Sequence, residues 1–227
     1  MGVRLWRVHL DRPERAGEPG RWHCLSGAER DKAAAFADPL ARRRYVAAHA
    51  ALRHVLGRLC GVPAARLAFG TEESGRPCLL ARTPRPDFNL SHSEEWALIA
   101  VAAPGSRVGV DVERVRPDLD HREMARRIYQ PEEAARVCAA APDAGLAEYF
   151  RLWTAKEAYV KATGAGLAGL RDVLVRPAAA TCEQSRAGSA VFRSLPGSPA
   201  PVRWLDVAPG YAAALVTTAS TPAPRTG

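Results

Sequence analysis

A chain of 227 residues is long for one minimal domain and short for two full-sized ones, so one compact unit or two half-size lobes sharing a core is expected. With 47% apolar and 25% charged residues and a net charge of +8, it reads as a globular protein with an anionic partner: nucleic acid, an acidic protein or a phosphorylated small molecule. No apolar run approaches the ~20 residues of a membrane span, the opening MGVRLWRVHLDRPE lacks a signal-peptide core, and no basic stretch is interleaved with aromatics as in single-strand binders, so a cytoplasmic protein without a membrane partner is expected.

Residues 3–10 alternate apolar and polar side chains as a strand does. Residues 41–60 carry Val46, Leu52, Val55, Leu56 and Leu59 at helical spacing and stop at Gly61, with Pro63 just beyond. A strand is predicted at 66–69, a turn at 72–77, and extended apolar stretches at 88–90 and 96–101. Pro104-Gly105-Ser106 breaks the pattern. Beyond it come a cleanly alternating strand at 108–113, a short helix begun by Pro131, and a long helix over 147–162 ended by Thr163-Gly164. Strands are predicted at 172–175, 190–193, 202–207 and 211–216, followed by a loose tail at 221–227. Asp11 precedes Asp111 by 100 positions and Gly61 precedes Gly164 by 103, a faint echo between the two halves. The fold class is α+β, with an N-terminal lobe over 1–106 and a C-terminal lobe over 107–220. Five cysteines without C-x-x-C spacing read as reduced, mostly buried small apolar residues.

The chemistry begins with lysine, which occurs only at Lys32, Lys156 and Lys161 among 32 basic lysine and arginine residues. Two of them flank Glu157 in WTAKEAYVK, where a compact ammonium suits a phosphate oxygen or a proton transfer better than a guanidinium does. At about 100° per residue, Phe150, Trp153, Glu157 and Lys161 share a helix face, so Glu157 sits in an apolar and aromatic stripe. Its plain reading is an i,i+4 pair with Lys161; its functional reading is a metal ligand or general base. Lys156 points about 100° away, toward substrate or solvent. Strand alternation places Asp111 and Glu113 on one face, with Val110 and Val112 turned to the core. That acid pair is either a solvated negative face or a site for a hard divalent cation such as Mg²⁺. Phe88-Asn-Leu-Ser-His-Ser93 contains the only asparagine, Asn89, and is read as a polar turn at a strand end. Such a turn presents backbone N–H groups and an imidazole to a phosphate, or is simply a satisfied loop. Gly75-Arg76-Pro77 is a tight turn carrying one guanidinium, and Arg42-Arg43-Arg44 opens the first long helix.

ESGRP (73–77), FNLSHS (88–93), GVDVE (109–113) and WTAKEAYVK (153–161), in this order and spacing, resemble the Sfp-type 4′-phosphopantetheinyl transferases. The resemblance implies a pseudo-dimer of two similar lobes, each a small sheet packed by a long helix, in a monomeric protein with coenzyme A in the cleft between them. It implies Mg²⁺ held by Asp111, Glu113 and Glu157. Glu157 and Lys161 are then the catalytic pair, Glu157 accepting a proton directly or through water and Lys161 meeting the reacting phosphate. Coenzyme A contacts fall to Lys32, Arg44, Arg76, Pro77, Ser91, His92, Lys156 and Lys161. Many relatives carry lysine where this chain has Arg76. The implied reaction moves the 4′-phosphopantetheine arm of coenzyme A to a serine of an acidic apo carrier protein or carrier domain of fatty-acid, polyketide or nonribosomal-peptide synthesis, releasing 3′,5′-ADP. The +8 charge suits steering of such a carrier. Two rivals share some of these features. A Mg²⁺-dependent nuclease also uses acids and a lysine, though with a different spacing, and a basic nucleic-acid-binding module explains the charge but not the acidic strand.

Overall fold

The computed structural model describes residues 2–13, 20–80, 85–177, 189–194 and 200–219. The N-terminal part runs through β1 (Val3–His9), α1 (Gly27–Ala34), α2 (Pro39–Cys60), a small hairpin of β2 (Phe69–Thr71) and β3 (Pro77–Leu79), then β4 (Asp87–Ser93) and β5 (Trp96–Ala102). The second part contains β6 (Ser106–Arg114), α3 (His121–Ile128), α4 (Pro131–Ala139), α5 (Pro142–Thr163), β7 (Val173–Pro177), β8 (Ser189–Ser194), β9 (Pro201–Trp204) and β10 (Tyr211–Ala219). The main sheets are antiparallel, one ordered β1-β5-β4 and the other β6-β10-β9-β8-β7. The architecture is α+β, two sheets each flanked by helices. None of the described helices is long and apolar enough to cross a membrane.

Both long helices have clear sequence causes. The Asp38 carboxylate caps α2 by accepting from Leu40 N–H at 3.0 Å and Ala41 N–H at 3.1 Å, and Pro39 fills the first position, where no N–H is needed. Gly61 stops the helix at φ +67°, a left-handed conformation that costs glycine nothing. Leu52 and Leu56 bury against Phe88, Ile99 and Val101 of the first sheet, while Ala47 and Ala48 meet Leu10 and Ala97. Each of these leucines contributes about 1.5–3 kcal/mol of burial. Helix α5 likewise starts at Pro142 and ends at Gly164, φ +78°. Its small residues Ala155, Ala158 and Ala162 are fully buried, and they bring its backbone against Gly109 of β6. A Cβ on Gly109 would lie 1.9 Å from the Ala158 carbonyl oxygen, so only glycine allows this approach.

Strand β6 holds the centre. Val108, Val110 and Val112 are fully buried in a cluster with Leu98, Ala100 and Ala102 of β5 and Ala213 and Leu215 of β10, which spans both sheets. The opposite face carries Gly109, Asp111 and Glu113, as alternation requires. Its outer edge is closed by side chains of β4 instead of a backbone ladder. Asp87, Asn89, Ser91 and Ser93 accept from the N–H groups of Val108 (2.7 Å), Val110 (2.9 Å), Val112 (3.4 Å) and Arg114 (3.0 Å), respectively. Four alternate polar side chains on one strand thus satisfy every second N–H of the other, which answers the cost of burying them unpaired.

Several expectations change. The polar residues of FNLSHS do not form a turn: β4 continues to Ser93, the side chains of Asn89, Ser91 and Ser93 face β6, and the chain turns at Glu94, φ +48°. Helices α1 and α3 were not anticipated, although Ser26 and Glu29 form a complete capping box at the start of α1. The strand expected at 66–69 is a 3₁₀ turn at Ala64–Arg66 followed by β2. Helix α5 begins at Pro142 instead of near 147, and β9 ends at Trp204 instead of 207. Cys24, Cys60, Cys78 and Cys138 are free thiols, but only Cys24 is buried. Cys182 and the tail at 221–227 lie outside the described residues.

Candidate active site

A cavity of about 880 Å³ opens between the two parts of the chain, with Phe69, Arg76, Pro77, Leu90 and His92 on one side and Glu157, Val160 and Lys161 of α5 on the other. At its α5 side the structure brings together Ser91, Asp111, Glu157 and Lys161. Asp111, 2% exposed, accepts from the Ser91 hydroxyl at 2.8 Å and from Lys161 Nζ at 2.6 Å on Oδ1. Its Oδ2 is buried without a hydrogen-bond partner. Glu113 accepts from the Ser93 hydroxyl at 3.0 Å, and Glu157 stands 3.8 Å from Lys161 Nζ.

All three carboxyl groups resist ionisation. Burial pushes Asp111 up, against the pull of Lys161 and Ser91. Burial and then the Asp111 charge push Glu113 up. Burial pushes Glu157 up as well, with Asp111 and Glu113 adding to it and Lys161 opposing. Acids that raise one another in this way are in the state a divalent cation relieves, and the orphaned Asp111 oxygen is a free donor atom for one. The all-oxygen donor set suits a hard ion such as Mg²⁺. Among the described residues no three His, Cys, Asp or Glu side chains are already gathered as ligands. Lys161 is the cation between Asp111 and Glu157 in this arrangement.

The other expected site residues divide. His92 and Pro77 line the cavity, and the His92 imidazole is held below its usual range by removal from water and by His49, Lys161, Lys32 and Arg44. Lys32 is exposed, its Nζ 5.6 Å over the Tyr45 ring, and Arg44 is gripped by Asp11 through two hydrogen bonds of 2.9 and 2.8 Å and by Glu94. Three carboxylates, Asp11, Glu94 and Glu95, therefore surround the Arg44 guanidinium. Arg76 is 6% exposed and holds the fold together. It pairs bidentately with Asp87 and donates to the carbonyls of Lys161 (2.8 Å), Phe88 (3.0 Å) and Val108 (2.6 Å). A lysine offers no planar fork for these acceptors.

Lys156 is corrected. It faces neither substrate nor solvent: it is fully buried on the far side of α5, where Nζ meets Glu133 at 2.8 Å and donates to the carbonyls of Leu170 and Val173. Its three donors are occupied, leaving none for coenzyme A. The sequence reading also passed over Glu29, His49 and Arg53, which share a cavity wall. Arg53 Nε lies 2.7 Å from Glu29, and His49 Nδ1 3.3 Å from it. Burial would raise the Glu29 carboxyl, but hydrogen bonds from His49, Ser26 and Arg53 outweigh it and hold it at about 2. The capping-box serine and the four-residue spacing of His49 and Arg53 are the signals that were available.

A family model described as the 4′-phosphopantetheinyl transferase superfamily matches residues 107–216, the segment carrying Asp111, Glu113, Glu157 and Lys161. The 4′-phosphopantetheinyl transferase HetI of a Nostoc species is 38% identical over 173 residues, which are 75% of this chain and 72% of the relative. The chain belongs to the 4′-phosphopantetheinyl transferase superfamily. A Bacillus subtilis 4′-phosphopantetheinyl transferase is 31% identical over 166 residues, 73% of this chain and 72% of its own. Sfp of Bacillus subtilis is 27% identical over the same share of each chain. This phosphopantetheinyl transferase is thus an enzyme whose chemistry is transfer to a carrier protein.

Proposed function

We propose that the protein moves the 4′-phosphopantetheine arm of coenzyme A onto a serine hydroxyl of an acidic apo carrier protein, with Mg²⁺ required and 3′,5′-ADP released. The observation that carries the reading is the convergence of Asp111, Glu157 and Lys161 at one side of the interlobe cavity. Asp111, Glu113 and Glu157 are the residues to hold Mg²⁺, which when bound supplies electrostatic stabilisation to the pyrophosphate oxygens on the leaving side. His92 binds phosphate oxygens, Ser91 supports the site by orienting Asp111 rather than by meeting the phosphate, and Pro77 lies against the nucleotide. Lys32, and Arg44 on leaving its Asp11 and Glu94 partners, add charge for the 3′-phosphate from outside the cavity lining. Lys161 exchanges its bond to Asp111 for the reacting phosphate and neutralises its oxygens as the bond to 3′,5′-ADP breaks. Glu157, directly or through a water, takes the proton of the attacking serine hydroxyl.

The protein acts as a monomer whose lobes, 1–106 and 107–220, form a pseudo-dimer. Supporting this, each half has an antiparallel sheet packed by a 22-residue helix that ends at a left-handed glycine. The free thiols fit a reducing cytoplasm. The test is to incubate the protein with coenzyme A, Mg²⁺ and apo carriers and to weigh the carrier. A gain of one phosphopantetheine mass is expected. No gain with any of several carriers, together with cleavage of DNA, refutes the reading.

A further inference from the structure

Glu113 is held by a neutral donor that the proposed chemistry does not use. The Ser93 hydroxyl donates to Glu113 Oε2 at 3.0 Å while accepting the Arg114 N–H at 3.0 Å. Ser91 repeats the serine device, donating to Asp111 at 2.8 Å and accepting from Val112 N–H at 3.4 Å. In each case one hydroxyl couples the edge of β6 to the orientation of a carboxylate on it. The two sites then diverge. Ser91 is also 3.3 Å from Lys161, so its oxygen is shared with the catalytic lysine. Among the described residues no such bond involves Ser93.

A neutral hydrogen bond fixes a carboxylate oxygen without cancelling its charge, which is what a ligand to a cation requires and what the Lys161 ammonium does not do for Asp111. We propose that Ser93 is a positioning residue that holds the Glu113 carboxylate in the orientation in which it binds the divalent cation. This rests on the reading of Glu113 as a metal ligand.

The experiment measures Mn²⁺ binding by electron paramagnetic resonance, with coenzyme A present and no carrier, in the wild type and in Ser93→Ala, Ser93→Thr and Ser93→Cys. Outer-shell partners of metal ligands are worth about 10–100-fold in affinity, so Ser93→Ala is expected to weaken Mn²⁺ binding by that factor. Ser93→Thr keeps the hydroxyl and restores it, which a loss of folding stability would not predict. Wild-type Mn²⁺ affinity in Ser93→Ala overturns the proposal. Should Ser93→Ala fail to fold, Ser93→Cys, whose thiol is a weak donor, decides alone by the same criterion. A wild-type protein that modifies carriers while its variants bind Mn²⁺ normally overturns only the positioning role; one that neither binds Mn²⁺ nor modifies a carrier overturns the underlying reading as well.

Discussion

Replacing Lys156 with methionine is expected to damage the fold and leave the coenzyme A site intact. Lys156 and Glu133 are both fully buried and stand 2.8 Å apart. Glu133 also accepts the N–H groups of Val175 at 2.7 Å and Gln130 at 3.1 Å, so the pair joins α4, α5 and β7. Methionine fills much of the lysine volume but strands the Glu133 carboxylate and leaves two carbonyls without a donor. Breaking a buried pair from one side costs about 3–5 kcal/mol, a large fraction of the ~5–15 kcal/mol that holds a domain together. For a chain of this size that lowers the melting temperature by about 10 °C. The double variant Lys156→Met/Glu133→Gln removes both charges and should recover to within about 2 kcal/mol of the wild type. Urea unfolding of the single and double variants gives the cycle, and calorimetry gives coenzyme A affinity at a temperature where all are folded. A Lys156→Met protein as stable as the wild type that binds coenzyme A tenfold more weakly would return Lys156 to the cofactor site and refute the argument.

Asp111→Ala and Glu157→Ala should each lower carrier modification by about 10³-fold or more, with the melting temperature little changed, because burial disfavours the ionised form of both acids and removing them relieves that cost; full activity in either variant refutes the site. Gly109→Ala drives a methyl group into the Ala158 carbonyl and should cost about 3 kcal/mol in urea unfolding along with turnover, since α5 must lift from β6; wild-type stability would contradict the packing. Glu29 should give the protein an acid-sensitive component. Its carboxyl at about 2 in the folded protein, against an ordinary value of 4.5, stabilises the fold fully above 4.5 and progressively less as pH falls toward 2. The shift corresponds to about 3 kcal/mol at most and to about half of that once water at the cavity wall is allowed for. The stability difference between wild type and Glu29→Gln should therefore vanish at low pH, and a difference independent of pH would refute the role.

Strand β6 and the two long helices were legible because their signals are local: alternation across Val108 to Glu113, and a glycine at each helix end. Strand β4 was misread for a physical reason. Its polar residues at every second position serve another strand about 21 residues further on, and a polar residue with a distant partner resembles one facing water. The rarity of lysine marked both Lys156 and Lys161, yet composition cannot tell an ammonium paired in the core with Glu133 from one facing a cleft. Helical geometry separated them in direction, and only the packing of α4 against α5 explains where Lys156 goes. Arg44 and Arg76 show the same limit, since their carboxylate partners Asp11 and Asp87 are adjacent only after folding.

The side-chain closure of the β6 edge also bears on how the molecule resists aggregation. An open strand edge recruits other chains, and here the donors most exposed to that hazard are taken up by Asp87, Asn89, Ser91 and Ser93. A C-terminal half expressed alone would lose all four acceptors at once and present a hydrophobic strand with alternate N–H groups unpaired. The first half thus acts as a built-in chaperone for the second, and a ribosome delivers it in the useful order.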